Sequence, residues 1–199
     1  MENAGAALAQ AVRELAEEAA VRRVLIVAGP GSNGGDGLVA ARQLFREDGL
    51  EIAVAAPLGL CRQMESPATL AARNATALGI EIHQGGNLAD LLRAGPGMIV
   101  DALFGLGLDR PLEGTARTLV ETMAEAVVPV LAVDVPSGLD ADTGAILGAI
   151  VPAHWTLSFV APKAGFFAGE GPAHCGAVAV AGIGVADGYA AAWRALQTR

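Results

Sequence analysis

From residue 24 to residue 181 short apolar runs alternate with segments whose apolar residues recur at helical spacing, and this alternation constrains the fold more than any other feature. The runs predict strands over 24–28, 51–56, 98–101, 130–134, 155–160 and 177–181. Between and after them, helices are expected over 37–47, 67–78, 87–93, 115–125 and 186–197. A further helix over 1–20 would set Leu8, Val12, Leu15 and Ala19 on one face, with Arg13, Glu14, Glu17 and Glu18 toward solvent. Strand and helix in alternation imply right-handed βαβ crossovers and an α/β fold with a mostly parallel central sheet. Composition agrees: 53% hydrophobic residues, 17% charged and 4% aromatic suit strands buried on both faces. With no repeat, linker or low-complexity stretch in 199 residues, the chain reads as one domain over 1–199.

Several classes of function drop out early. No apolar stretch approaches the roughly 18 to 20 residues of a membrane span, and Met1 is followed by Glu2 and Asn3 rather than an apolar leader. A cytoplasmic location and no membrane partner are therefore expected. The net charge of −8 argues against nucleic acid, which wants a basic face. It leaves room for an anionic small molecule, because loop N–H groups act locally. Cys61 and Cys175 lie far apart and read as unpaired thiols, and His83, His154 and His174 lack metal-ligand spacing.

Residues 29–37 read Gly-Pro-Gly-Ser-Asn-Gly-Gly-Asp-Gly, five glycines in nine positions, directly after an apolar run and before a helical one. Strand, glycine turn and helix in that order let bare backbone N–H groups meet an anion at a helix N-terminus. The spacing matches neither the dinucleotide fingerprint nor the P-loop, since no Gly-Lys-Ser/Thr closes it. Asn33 and Asp36 set the stretch apart, because a purely structural turn needs neither. Other strands also end in polar loops: Asp101 before 102–111, Asp134 before Val-Pro-Ser-Gly-Leu-Asp, and 155–160 before Pro162-Lys163. In open α/β sheets such loops share one rim, where ligands bind. Lys163 reads either as a phosphate contact or, by preference, as a solvated turn residue.

Met1-Glu2-Asn3-Ala4-Gly5, Gly31-Ser32-Asn33-Gly34-Gly35-Asp36-Gly37, Val100-Asp101-Ala102-Leu103-Phe104-Gly105, Val133-Asp134-Val135-Pro136-Ser137-Gly138-Leu139-Asp140 and Pro162-Lys163 occur in one order along the chain. In that order they resemble the NAD(P)H-hydrate epimerase family, the YjeF N-terminal domain, over essentially the whole length. The resemblance implies a Rossmann-like three-layer αβα sandwich, a homodimer, and interconversion of the R and S forms of the 6-hydroxy adduct of NADH or NADPH. It also implies metabolite repair alongside a separate NAD(P)H-hydrate dehydratase, a domain that 199 residues leave no room for. Substrate-binding positions carried over are Ser32, Asn33, Gly34, Gly35 and Asp36, then Gly105, Leu106, Gly107, Leu108, Asp109, Arg110 and Pro111, with Asp134. A potassium ion is implied on Asn33, Asp101 and Ser137. Two departures stand out. Ser32-Asn33 replaces the family's usual pair of asparagines, and the sequence opens at a motif that an extra helical segment normally precedes.

Such a substrate is a cyclic hemiaminal, and inverting its carbon moves protons to and from oxygen by either route open to it. One route loses and regains water through an iminium; the other opens and recloses the ring. A positioned carboxylate suits both. Asp134 is the first candidate and Asp36 the second, each with the plainer reading of a turn or cap residue. Three hard oxygens on three loops are too few carboxylates for a tight divalent site, and suit a weakly held monovalent cation better. Arg110, beside Gly105 and Gly107, could grip a phosphate with two hydrogen bonds. The rival reading is a non-catalytic nucleotide-binding or protein-interaction module of the same fold. An oxidoreductase would need an acidic residue closing the next strand, where the chain instead has Ala55, Ala56 and Pro57.

Overall fold

The computed structural model describes residues 1–45, 49–61, 63, 65–85 and 88–184. The helix expected over 186–197 lies outside the described residues. Helix α1 (Glu2–Glu18) leads into strand β1 (Arg23–Ala28), α2 (Ser32–Leu44), β2 (Glu51–Ala56) and α3 (Pro67–Ala77). Then come β3 (Ile82–Gln84), α4 (Leu88–Arg93), β4 (Met98–Ala102), α5 (Gly114–Ala124) and β5 (Val130–Val133). The described part ends with β6 (Trp155–Phe159), a single 3-10 turn (Ala164–Phe167), the short α6 (Gly171–His174) and β7 (Ala177–Ala181).

All pairings between these strands are parallel, in the order β3-β2-β1-β4-β5-β6-β7. Helices cover both faces, so β1 is apolar and buried from Val24 to Ala28. Val24, Ile26 and Ala28 face the core shared with α1, α2 and α3, while Leu25 and Val27 face the core that includes Leu119, Val120 and Met123 of α5. Strand β1 hydrogen-bonds to β2 on one side and to β4 on the other, with Val27 opposite both Ala55 and Asp101. The chain winds away from β1 in opposite directions there, and a crevice opens beyond the carboxyl ends of β1 and β4.

The structure corrects the reading at three places. Strand β3 was not anticipated. On α1, Ala19 is exposed and Leu15 half-buried, and Ala4, Ala9 and Ala16 join Leu8 and Val12 in the core. Most consequentially, α2 starts at Ser32, so Gly34, Gly35 and Gly37 are helical rather than loop residues. None of the glycines in 29–37 has a positive φ. Gly29, Gly34, Gly35 and Gly37 are there for closeness, and Gly31 is not. A Cβ on Gly34 would stand 1.8 Å from the Gly29 carbonyl oxygen, and one on Gly37 would stand 2.9 Å from Ala102 Cβ. Gly34→Ala is therefore expected to lower stability by about 3 kcal/mol, as overpacking against rigid backbone does. Gly31→Ala, with nothing within 4 Å, should lose under about 1 kcal/mol in the same denaturant titration.

Candidate functional site

A cavity of ≈ 450 Å³ occupies the crevice at the carboxyl ends of β1, β4 and β5. Pro30, Gly31, Ser32, Asn33 and Asp36 form one wall, Leu103 to Leu108 another, and Asp134 joins them. Gly31 caps α2 without a side-chain hydrogen bond, which leaves the opening N–H groups of the helix for an anionic ligand. Of the carried-over positions, Ser32, Asn33, Asp36, Gly105, Leu106, Gly107, Leu108 and Asp134 line the cavity. Gly34 and Gly35 do not; they are buried in helix packing. Asp109, Arg110 and Pro111 are exposed and lie outside the lining.

The three positions read as cation ligands are wired together through the backbone of one residue, Phe104. Asn33 Nδ2 donates to the Phe104 carbonyl at 2.7 Å, and Phe104 N–H donates to Ser137 Oγ at 2.9 Å. Ser137 Oγ in turn donates to Asp101 Oδ1 at 2.6 Å, and the Ser137 N–H donates to Oδ2 at 2.8 Å. Asp101 is wholly buried, and burial pushes its carboxyl up to about 6 despite the opposing hydrogen bonds from Ser137 and Leu103. Its partners are all neutral donors. Such a carboxylate leaves charge to be balanced, and Asn33 Oδ1 offers a second hard oxygen. That donor set fits a weakly bound monovalent cation, and no cluster of three His, Cys, Asp or Glu side chains occurs among the described residues.

Asp36 and Asp134 face the cavity from different elements. On α2, Asp36 leaves Oδ1 buried and without a hydrogen bond, with the Met1 ammonium 3.9 Å away. Burial drives its carboxyl up to about 7; the Met1 ammonium opposes the rise and the charge of Asp134 adds to it. Asp134 sits one residue past β5 with φ +63°, a conformation aspartate tolerates better than most residues. The Val135 N–H closes back onto the Val133 carbonyl at 2.8 Å, making a three-residue reversal. Strand β6 ends in the same way, with Val160 at φ +70° and the Ala161 N–H on the Phe159 carbonyl at 2.8 Å. Strain of this kind gathers at functional sites.

The reversal after β6 delivers the residue that sequence reasoning placed wrongly. Lys163 is not a solvated turn residue: its Nζ lies 2.8 Å from Asp134 Oδ1 and donates to the carbonyls of Phe159 and Ala161 at 3.0 and 3.1 Å. Only the Pro162-Lys163 pair at the mouth of a strand signalled it. His154 and His174 stand apart from the cavity, each engaged with backbone through Nδ1. Cys61 and Cys175 are both free thiols.

A doubly wound parallel sheet with a ligand cavity at its switch point, rimmed by two glycine loops and two carboxylates, defines a small-molecule-binding α/β protein of the Rossmann-like class. The family model described as YjeF-related protein N-terminus matches residues 1–165. The chain belongs to that family. It is 43% identical over 185 residues to a protein of Achromobacter xylosoxidans named NAD(P)H-hydrate epimerase, covering 92% of this chain and 84% of the relative. A protein of the same name from Limosilactobacillus fermentum is 38% identical over 184 residues, with 91% and 83% covered. A longer relative from Moorella thermoacetica, named bifunctional NAD(P)H-hydrate repair enzyme Nnr, is 34% identical; 93% of this chain matches 36% of its length. Among solved structures, the crystal structure of yeast ynu0 superposes with a TM-score of 0.71 at 30% identity, covering 83% of this chain and 71% of that one.

Proposed function

We infer that this chain catalyses exchange between the R and S epimers of NADH and NADPH hydrate, an isomerisation without net redox change. The observation that carries the reading is the pairing of Asp36 and Asp134 across one cavity, in a chain similar over most of its length to proteins named for that activity. The hydroxyl-bearing carbon lies next to the ring nitrogen, so inversion needs a proton delivered to the leaving or ring-opening oxygen and another removed. A carboxyl pushed up to about 7 by burial holds a proton near neutrality and can deliver it, which suits Asp36 to the acid role. Asp134 Oδ1 is engaged by Lys163, Ser158 and the Phe159 N–H, and Oδ2 is left to take a proton from the incoming oxygen. In the iminium route the proton from Asp36 leaves with the departing water, and the proton taken by Asp134 comes from the water that adds on the other face. The α2 N-terminus and the Gly105–Leu108 loop would receive the diphosphate through backbone N–H groups.

A potassium ion on Asn33, Asp101 and Ser137 belongs to the same proposal. It would balance the Asp101 charge and hold the first turn of α2 to the end of β4 and the loop after β5. The family resemblance further supports a homodimer, working in the cytoplasm beside a separate dehydratase that consumes one epimer. Chromatography of a single purified epimer mixed with the protein tests the activity: equilibration should run far ahead of buffer in potassium and slow when choline replaces it. No acceleration at micromolar protein in potassium would refute the reading, and equal rates in potassium, sodium and choline would remove the ion from it.

A further inference from the structure

We propose that Lys163 is a positioning residue of this site, one that clamps Oδ1 of Asp134 against the ends of β5 and β6 and thereby presents Oδ2 to the substrate. The proposal rests on the epimerase reading for its chemistry but on geometry for its substance. A lysine ammonium has three hydrogens, and Nζ has three oxygens at hydrogen-bond distance: Asp134 Oδ1 at 2.8 Å and the carbonyls of Phe159 and Ala161 at 3.0 and 3.1 Å. With every hydrogen committed and the side chain 14% exposed, the ammonium has nothing left for a phosphate.

The carboxylate is bound just as unevenly. Oδ1 receives Nζ and the Phe159 N–H at 3.1 Å, with Ser158 Oγ at 3.2 Å, whereas Oδ2 accepts no hydrogen bond among the described residues. One oxygen is fixed and the other is free, on a side chain that lines the cavity. Both anchors depend on the reversal after β6. Turning the chain at Val160 places the Phe159 and Ala161 carbonyls side by side, where a single ammonium spans them. Each ion is thus fixed by backbone of the same turn, Asp134 by the Phe159 N–H and Lys163 by the Phe159 carbonyl.

Among the described residues, the charged groups that bear on Asp134 from its surroundings are Lys163 after β6 and Asp36 on α2, the latter accompanied by the Met1 ammonium. Lys163 is the sole cation among them in contact with Asp134. Removing it leaves a nearly buried carboxylate beside a second one, which favours the protonated form and disorders the side chain.

The test uses the whole protein with Lys163→Gln, which keeps a hydrogen-bond donor without the charge, and Lys163→Arg, which keeps the charge. Epimer exchange is followed from pH 6 to 9.5 at varied substrate. Lys163→Gln should lower kcat at pH 7 by roughly 10- to 100-fold with KM within about twofold. Its acid limb should move alkaline by about one pH unit or more, and Lys163→Arg should recover part of the rate. A raised KM with unchanged kcat and pH limb would overturn the proposal, since the ammonium would then be binding substrate. An equal loss of rate at every pH, with a lowered Tm, would overturn it in favour of a purely structural lysine. The carboxyl carbon of Asp134, assigned by its absence in Asp134→Asn, supplies a readout independent of turnover. If the wild-type protein exchanges no epimers, the functional reading fails by itself, and Lys163 is judged on that resonance. An upward shift of its titration midpoint in Lys163→Gln supports the clamp, and an unmoved midpoint refutes it.

Discussion

Asp134→Asn is expected to slow epimer exchange by about 10² to 10⁴, the range typical of removing a general acid or base. The amide keeps the size of the side chain, and its oxygen can still accept from the Phe159 N–H and from Lys163. It cannot take up a proton in the neutral pH range. Turnover should therefore fall while substrate binding survives, so the loss belongs in kcat rather than KM. Single-turnover measurement with a purified epimer, alongside a binding titration, separates the two. If Asp134→Asn keeps its turnover and Asp36→Asn does not, the proton taken from the incoming oxygen goes to Asp36.

The second large effect is on stability, and its sign runs against intuition. Asp36 has its folded-state pKa raised from 3.8 to about 7, chiefly by burial. Between those values the unfolded chain releases the proton while the folded protein retains it. The unfolded state then binds fewer protons, so stability falls as pH rises through that window. Asp36→Asn, which has no charge to bury, should be close to neutral near pH 4 and stabilising by about 2 to 4 kcal/mol at pH 8. Denaturant unfolding at the two pH values checks it. Equal stability of the two proteins at pH 8 would mean that burial does not hold the proton on Asp36, and the acid role would go with it. Loss of activity accompanied by gain of stability is the mark of a group kept for chemistry rather than for folding.

How much of this could be read beforehand follows from where each signal resides. Strands β1, β2 and β4 carry unbroken apolar runs over 24–28, 52–56 and 98–100, because the stretch of a parallel strand covered on both faces needs apolar residues at successive positions. Strand β3, only Ile82–Gln84 at the sheet edge, has no such requirement and left no pattern to read. The start of α2 was hidden for the opposite reason: glycine is counted as a helix breaker, yet here the missing Cβ lets the helix lie against β1. The family resemblance alone groups Asp101 with Ser137, and the hydrogen bonds that join them come from loops at the ends of the adjacent strands β4 and β5. Lys163 could not be placed beforehand. Its partner is fixed by the adjacency of β5 and β6 and by a backbone reversal at Val160, a β-branched residue that no turn preference would select. Arg110, whose chemistry and loop suggest a phosphate contact, is exposed and outside the cavity lining, a placement that its local sequence does not disclose.

The matching reversals at Asp134 and Val160 have an effect on what the rest of the molecule is free to become. Each turn is completed within three residues, before the chain enters its outer loops. The spacing between carboxylate and ammonium is consequently inherited from two hydrogen-bonded neighbours in a sheet, whose separation hardly varies from one protein to another. Segments not tied to these turns can change without disturbing the reacting atoms, whereas 140–150 is held to them: the Gly165 N–H, two residues past Lys163, donates to the Ala141 carbonyl at 2.7 Å, and the Leu147 N–H to the Gly138 carbonyl at 2.8 Å. The sheet acts as a ruler for the chemistry, and selection on substrate fit can proceed in the loops without recalibrating it.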